Sequence, residues 1–454
     1  MKIAVIGAGI IGVTTAYEMA SDGHEVSVFE RSGSVAAETS FANAGLVAPG
    51  YVGPWAAPGL PAKILRHLFS AHTPVRMHAD MDMATLRWLW RAWRSSQPKI
   101  YQNNRARMHA LAEYSRERLH ALTKGLNLEY ERADGCLVLL RSARDLAAVQ
   151  PGLQMLAELG RRHTVLDGPQ CRQIEPGLSA DTGLHAGIHL PQDEVGNCRE
   201  FAHLLKNEAQ RLGAQFRFHT LVQRVEAGAK PRVVHLYTPP VENTATQESR
   251  EQIERSNSSM GPATQPMPAT PQQDEFDAVV ICAALGAHAL LRPHGLRLPL
   301  VPVYGYSITA PLRQLEAHPD LGPRAGLMDE RYKVAISRFG RRVRVAGGAE
   351  FGGAPKVMHS GAIATLYKVL HDWFPGAAQN SKLQHWKGAR PMLPDGPPVL
   401  GACAANGLWL NLGHGSNGWA LACGSARVLA DQVAGRSPSI SVEGLGIERL
   451  SGIR

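Results

Sequence analysis

The chain has 454 residues, a formal net charge of +9, 44% hydrophobic and 19% charged residues. The length predicts two or three domains, or two large interleaved ones, with globular cores. The positive balance suits nucleic acid, an anionic membrane surface or acidic small molecules, but no basic block of five residues and no nucleic-acid motif occurs, which sets nucleic acid aside.

The six cysteines, at 136, 171, 198, 282, 403 and 423, show no C-x-x-C and no metal-ligand spacing. They read as buried thiols in a reducing compartment, and no metal is expected. No run of 18 apolar residues is present, so no membrane span is predicted. A motif starting at residue 7 leaves no expected room for a signal peptide, and the expected location is the cytoplasm.

Lys2 to Ile6 is an apolar run short enough to be a buried strand. Gly7-Ala8-Gly9-Ile10-Ile11-Gly12 follows, then a helical stretch to about Asp22, a turn at Gly23-His24, and a second strand from Glu25 to Phe29 ending in Glu30, 18 residues after Gly12. Each part has a physical role at a dinucleotide. Gly7 permits the tight turn, Gly9 lets the backbone approach a pyrophosphate, and Gly12 lets the helix sit close to the strand. The helix N-terminus offers N–H groups and a partial positive charge to phosphate, and Glu30 can accept from a ribose. Packing glycines in an ordinary βαβ unit are the bland alternative.

After Arg31 the sequence turns small and polar through Glu38–Gly45, then proline- and glycine-rich from Pro49 to Gly59. An irregular loop this long usually covers a ligand. Leu60 to Phe69 mixes Leu65, Leu68 and Phe69 with Lys63 and Arg66. Met83 to Arg94 reads as a helix with Leu86, Leu89, Trp90 and Trp93 on one side and Arg87, Arg91 and Arg94 on another. Such a helix either buries its apolar side in the protein or lies on a membrane surface. A second helix is predicted from about Asn104 to Lys124, then a strand over Cys136–Leu140.

Further strands are predicted at Gly187–Pro191, Gln215–His219, Leu221–Val225 and Val233–Tyr237, with a helix over Arg199–Leu212. Thr238 to Asp274 is rich in proline, glutamine, serine and charge, and predicts a disordered insertion between two strands. Phe276 to Gly286 is a buried strand ending in small residues, which can return the chain to the dinucleotide. Strands follow at Val303–Thr309, Lys333–Arg338 and Arg342–Gly347. A helix over His359–Trp373, a proline-rich loop over Gly388–Gly401, a strand over Leu408–Leu412 and a last helix over Gly418–Val433 complete the reading. Parallel α/β fragments interrupted by β-rich blocks predict a discontinuous nucleotide domain with a second domain inserted.

Gly413-His-Gly-Ser-Asn-Gly418 is a second G-x-G-x-x-G, but no strand ending in an acid follows it. It reads as a glycine loop presenting a helix N-terminus to something negative, such as the N1–C2=O edge of a reduced flavin. With the ANAG and PGYVGPWAAPG stretches (residues 42–59), Leu190–Cys198, Gly305-Tyr-Ser307, Asp329–Lys333, the RPMLPDGPPVLG loop (390–401) and Leu408–Asp431, the sequence resembles the D-amino acid oxidase superfamily of flavoproteins. Within it, the sequence is similar to the bacterial D-amino-acid dehydrogenase small subunits. The resemblance spans nearly the whole chain except Thr238–Asp274.

The resemblance implies an α/β fold with a discontinuous Rossmann-like FAD-binding domain (1–50, 170–290, 390–454) and an inserted β-rich substrate domain (51–169, 291–389). It implies FAD contacts from Ile3, Gly7, Gly9, Ile10, Ile11, Gly12, Glu30, Arg31, Ser40, Asn43, Ala44, Gly45, Gly286, Gly413, Gly415 and Gly418. The implied reaction is oxidation of a D-amino acid by hydride transfer from Cα to flavin N5, the imine then hydrolysing to a 2-oxo acid and ammonia. Electrons would pass to a quinone or carrier, with peripheral membrane contact as one route to it. Arg390 matches the position that holds the substrate carboxylate, a task suited to a bidentate, permanently charged guanidinium; the other reading is an arginine bracing the loop. Tyr306 and Tyr332 are either hydroxyl partners of the substrate or half-buried strand tyrosines. His414 is either a base or a loop histidine beside the flavin. Two competing functions are an oxidase acting on glycine, sarcosine or a cyclic imino acid, and a nucleotide-binding protein without catalysis.

Overall fold

The computed structural model describes residues 1–59, 72–78, 81–239, 270–313 and 321–450. In chain order the early elements are β1 (Lys2–Ile6), α1 (Ile10–Ser21), β2 (Glu25–Phe29), β3 (Leu46–Val47), β4 (Val75–Met77), α2 (Met83–Ser95) and α3 (Pro98–Gly125). Next come β5 (Ala133–Leu140), α4 (Ala143–Glu158), β6 (Thr164–Leu166), α5 (Gly168–Ile174), β7 (Ala186–Val195) and α6 (Cys198–Arg211). They are followed by β8 (Gln215–Arg217), β9 (Thr220–Glu226), β10 (Arg232–Tyr237), β11 (Gln272–Glu275), β12 (Ala278–Ile281), α7 (Ala287–Leu291) and β13 (Val301–Pro311). The last are β14 (Gly326–Asp329), β15 (Val334–Phe339), β16 (Arg342–Phe351), α8 (Ser360–Trp373), β17 (Gln384–Met392), β18 (Val399–Ala402), β19 (Leu408–Leu412) and α9 (Gly418–Val433).

The first sheet has six strands in the order β18-β19-β12-β1-β2-β8, all parallel except edge strand β18. Both faces are covered, which is why β1 and β12 read as unbroken apolar runs. Ile3, Val5, Val26, Val28 and Val280 pack under α1, α6 and α9, while Ala4, Ile6, Val279, Ile281 and Leu410 face α7 on the other side. Fully buried Glu18 of α1 accepts from Arg118 (Nε, 2.6 Å) of α3 and Arg427 (Nη1, 2.9 Å) of α9, so one carboxylate ties three helices. This buried set leaves no apolar periodicity to read in a sequence.

The second sheet runs β17-β13-β16-β15-β14-β5-β7-β3, with β4 on β16 and β6 on β7. Helix α8 covers one face through Leu366, Val369 and Trp373 against Tyr306, Ile308, Val334 and Ile336. A three-stranded antiparallel sheet, β11-β10-β9, stands apart.

Several expectations change. Strand β7, drawn with the nucleotide segments, pairs with β5 inside the second sheet, and α3, drawn with the substrate segments, packs on α9 above the first. Gly388–Gly401 is not one loop: its first part continues β17 and its end is β18, because Pro391 is accommodated on an edge strand. Gln272–Glu275, which overlaps the end of the expected insertion, is a strand pairing with Arg232–His235. The rest of that insertion, 240–269, and the segment 60–69 lie outside the described residues. Elements α4, β6 and α5 have no counterpart in the sequence reading; α4 even contains Pro151. The 38–59 stretch holds the two-residue β3 and a short turn of helix at Pro49–Tyr51. All six cysteines are free thiols. Among the described residues no helix is long and apolar enough to cross a membrane.

Candidate active site

The glycine loop after β1 is shaped by contacts that admit no side chain. Gly7 has φ +101°, and a Cβ on Gly12 would lie 1.8 Å from the Gly7 carbonyl oxygen. Helix α1 therefore starts hard against the strand end. Its N-cap is Gly9, with no side-chain cap, so helix-start N–H groups and the dipole face outward. A Cβ on Gly9 would meet only Ser40 Oγ, at 3.6 Å. Ser40 Oγ accepts from Ile10 N–H at 3.1 Å, which seats the 38–45 loop at the helix start; Ile11 and Gly12 follow in the first turn.

At the end of β2, Glu30 Oε2 accepts from Ala8 N–H and Oε1 from Ser32 N–H, each at 2.7 Å. Each oxygen keeps a lone pair for a ribose hydroxyl. Arg31 pairs with Glu38 at the surface (Nε to Oε1, 2.8 Å). The end of β12 lies beside Gly7, whose added Cβ would sit 2.9 Å from the Cys282 carbonyl; Gly286 follows at the start of α7, again without a side-chain cap.

The second glycine loop closes the other side. Gly413 (φ +80°) and Gly415 (φ +56°) take conformations that side chains disfavour. Gly418 opens α9, whose N-cap Asn417 makes no side-chain cap. Among the described residues no second strand-and-acid unit follows in the first sheet, in keeping with one dinucleotide site rather than two. The residues fit FAD: a helix start whose N-cap Gly9 carries no side chain, a strand-end acid with free lone pairs, and a second helix start, at Gly418, without an N-cap side-chain bond.

Arg390 lies on β17, opposite Val303 of β13. Its guanidinium crosses Gly305, where an added Cβ would stand 2.2 Å from Nη2. Nη1 donates to the Gly348 carbonyl at 2.8 Å. That carbonyl is available because the β13–β16 register slips between Tyr304 and Tyr306, leaving Gly348 (φ +77°) in a bulge. Burial lowers the Arg390 pKa to about 10, so it stays a cation at neutral pH. Among the described residues no acid pairs with it.

Two contacts bring the Arg390 strand to the loops around the glycine motifs. Thr39 Oγ1 donates to Ala389 O at 2.6 Å. Met392, two residues along β17, forms a bridge with His414. Asn417 Nδ2 reaches Gly53 O at 3.4 Å, and Trp55 packs on Phe351 with ring centroids 5.0 Å apart, so the 49–57 stretch covers this side of the sheet.

The other expected site residues fall elsewhere or act differently. Tyr306 and Tyr332 are not beside Arg390. Tyr306 stands opposite Lys387 in the β13–β17 pairing, and alternation turns it to the α8 side. Its hydroxyl donates to buried Glu350, which also accepts from Lys387 Nζ at 3.0 Å. Burial and Glu350 push the Tyr306 phenol well above its ordinary pKa. Tyr332 lines a small cavity with Tyr306 and Thr365 on that side, under Arg141 at 5.0 Å from its ring. Alternation is legible in a sequence, but only once the register is known.

His414 is buried and its Nε2 lies 2.9 Å from Ser425 Oγ. Burial lowers its pKa to about 3, which favours the neutral imidazole. Ile3 is fully buried in β1, four residues before Gly7 and so about 13 Å from the glycine turn; it is a core residue. Asn43, Ala44 and Gly45 bond mainly to the protein: Asn43 Oδ1 accepts from Gly45 N–H, Ala44 O from Ser337, and Gly45 O from Trp419 Nε1. The sequence reading missed Gly348 and Thr39, whose parts appear only with the bulge and the loop in place.

Residues 2–432 match the family model described as FAD dependent oxidoreductase. The chain belongs to this family. FAD is its cofactor. The chain is 42% identical over 454 residues to a protein of Cereibacter sphaeroides named D-amino acid dehydrogenase, covering 99% of this chain and 95% of that one. A protein of the same name from Rhizorhabdus wittichii is 39% identical, with 99% and 100% covered. Among solved structures, glycine oxidase from Geobacillus kaustophilus superposes with a TM-score of 0.71 at 17% identity over 98% of both chains. L-proline dehydrogenase from P. horikoshii gives 0.65 at 14% identity over 99% of this chain and 98% of that one. These two likenesses establish the fold: an α/β unit around the six-stranded sheet joined to a second, larger sheet.

Proposed function

We propose that this enzyme oxidises D-amino acids to 2-oxo acids and ammonia and passes the electrons to a quinone or another non-oxygen acceptor. The observation that carries the reading is Arg390: a half-buried cation whose only hydrogen-bond partner among the described residues is a backbone carbonyl, on an edge strand that touches the 38–45 and 413–418 loops. A cation partly withdrawn from water with no acid beside it is suited to a partner that arrives with the substrate. An amino acid carboxylate supplies that partner in bidentate geometry. The names of the relatives add the D configuration and the dehydrogenase class.

Bound FAD supplies a two-electron acceptor for the hydride on the substrate Cα. This chain's residues do the positioning. Arg390 fixes the carboxylate, and the Gly348 carbonyl and the bare face of Gly305 set the direction of its fork. The α9 N-terminus, beyond Gly413 and Gly415, presents a positive end where negative charge develops. Neutral His414 holds the loop through Ser425. The six-stranded sheet with α1, α3, α6 and α9 forms the FAD domain in this reading, and the ten-stranded sheet the substrate domain.

The test is Arg390→Met, which should keep its flavin and lose kcat/KM for D-alanine by roughly 30-fold to several thousandfold, the range for truncating one partner of a buried charge pair. Near-normal kinetics would reject the role. Stoichiometric hydrogen peroxide during turnover would favour the oxidase reading over a dehydrogenase.

A further inference from the structure

Helix α2 turns its apolar side to solvent. It buries Thr85, Trp88, Ala92 and Ser95. Met83 (62% exposed), Leu86 (44%), Trp90 (47%) and Trp93 (57%) lie outward. Their spacing of three, four and three residues is one continuous stripe on a helix. An amphipathic helix in a water-soluble enzyme ordinarily does the reverse. Fourteen large apolar residues are exposed among the described residues, and five of them, counting Ile100, fall in the 18 positions from 83 to 100. Scattered single residues need no explanation; a stripe with two tryptophans does.

Beside the stripe runs a band of arginines. Arg87, Arg91 and Arg94 occupy adjacent positions around the helix, with the Arg94 guanidinium 5.1 Å over the Trp90 ring. Arg87 and Arg91 also line a groove of about 1210 Å³ that contains Arg292, Arg297 and a single acid, Glu448. Among the described residues this groove is therefore cationic, in a chain of net charge +9. Tryptophan suits the boundary between head groups and acyl chains, and arginine suits anionic head groups. A second copy of this chain is a poorer occupant, since a two-fold contact through α2 would set arginines against arginines.

We propose that α2 lies in the plane of an anionic phospholipid surface, with Met83, Leu86, Trp90 and Trp93 in the interface and Arg87, Arg91, Arg94, Arg292 and Arg297 on the head groups. The inner side of the same helix reaches the site: Trp88 Nε1 donates to Met392 O at 2.9 Å, and Met392 bridges to His414. A lipid-soluble acceptor would thus meet the protein within one packed layer of the flavin-binding loop. The docking stands whether or not D-amino acids are the substrate; the link to the acceptor deepens the reading above.

The experiment is co-sedimentation of the flavin-loaded enzyme with phosphatidylglycerol/phosphatidylcholine vesicles at low salt. Wild type should sediment with the vesicles and be released by high salt or by pure phosphatidylcholine. Arg87/Arg91/Arg94→Gln should bind roughly a hundredfold more weakly, each arginine near such a surface being worth about fivefold. Trp90/Trp93→Ser should lose binding while keeping its flavin and its dye-coupled activity. Failure of wild type to sediment, or equal sedimentation of the variants, overturns the proposal. So does a lipid-free dimer that Trp90/Trp93→Ser dissociates, which would make the stripe a self-interface. Loss of D-amino acid turnover with vesicle binding intact would count against the function alone.

Discussion

Gly305→Ala isolates the geometry of the carboxylate anchor. The added methyl would sit 2.2 Å from Arg390 Nη2 and 2.6 Å from Cζ. Ordinary contact needs about 3.5 Å, so the guanidinium must retreat by about 1.3 Å. It is the free end of a flexible side chain, and Gly305 is not among the positive-φ positions, so the strand itself tolerates alanine. The fold and the flavin should survive while the fork moves. A misplacement of about 1 Å in a substrate-positioning group costs about a hundredfold in rate, or about 2.7 kcal/mol. The assay is kcat/KM for D-alanine with a dye acceptor, beside the flavin-to-protein ratio and the Tm. We expect a loss of about a hundredfold at full flavin content. A variant within twofold of wild type would refute the claim that Arg390 in this exact pose binds the substrate, and loss of flavin would show that Gly305 supports the fold instead.

Gly9→Ala should leave the empty fold intact, because its Cβ meets only Ser40 Oγ at ordinary distance, yet weaken FAD by roughly 5- to 100-fold through crowding of the pyrophosphate; fluorescence titration of apoprotein with FAD checks it, and unchanged affinity would remove the phosphate from this loop. Burial raises the Asp193 pKa to about 7, and its Oδ2 lacks a hydrogen-bond partner. The folded state therefore holds this proton more tightly than the unfolded state, so its effect on stability is felt as pH rises from about 4 to 7, where stability falls. Asp193→Asn should flatten that slope and raise Tm at pH 8 more than at pH 5; an unchanged profile would show that the carboxyl is not protonated in the fold.

The nucleotide unit was legible because local patterns carry it. Strand β1, the three glycines, α1, β2 and Glu30 are consecutive, and their geometry follows from steric limits within 30 residues. Helix α9 and strand β19 were legible for the same reason: Gly413–Gly418 marks the break between them. The substrate side was less so. Arg390 was singled out as a candidate, but its strand was hidden by Pro391, which only an edge position tolerates. Tyr306 lies one strand from Arg390 but on the far face, a distinction set by register and by the bulge at Gly348, and Tyr332 stands in the turn between β14 and β15. Glu18 with Arg118 and Arg427 joins residues about 100 and 400 positions apart, and no local signal announces such a triad. Helix α2 shows the opposite failure. Its apolar side was visible in the sequence, but only the packing of Trp88 against Phe351 and Met392 shows that another side is the buried one.

In the reading above, Arg390 and the flavin-binding loops accept a D-amino acid for oxidation. Anaerobic mixing of the purified yellow protein with D- and L-amino acids, glycine and sarcosine tests it most directly, because flavin bleaching needs no added acceptor. The account predicts rapid bleaching by D-alanine or another D-amino acid, little by the L enantiomer, and none by D-amino acids in Arg390→Met with its flavin retained. Bleaching by glycine or sarcosine alone, by L-amino acids alone, or equally in the Arg390 variant would contradict it.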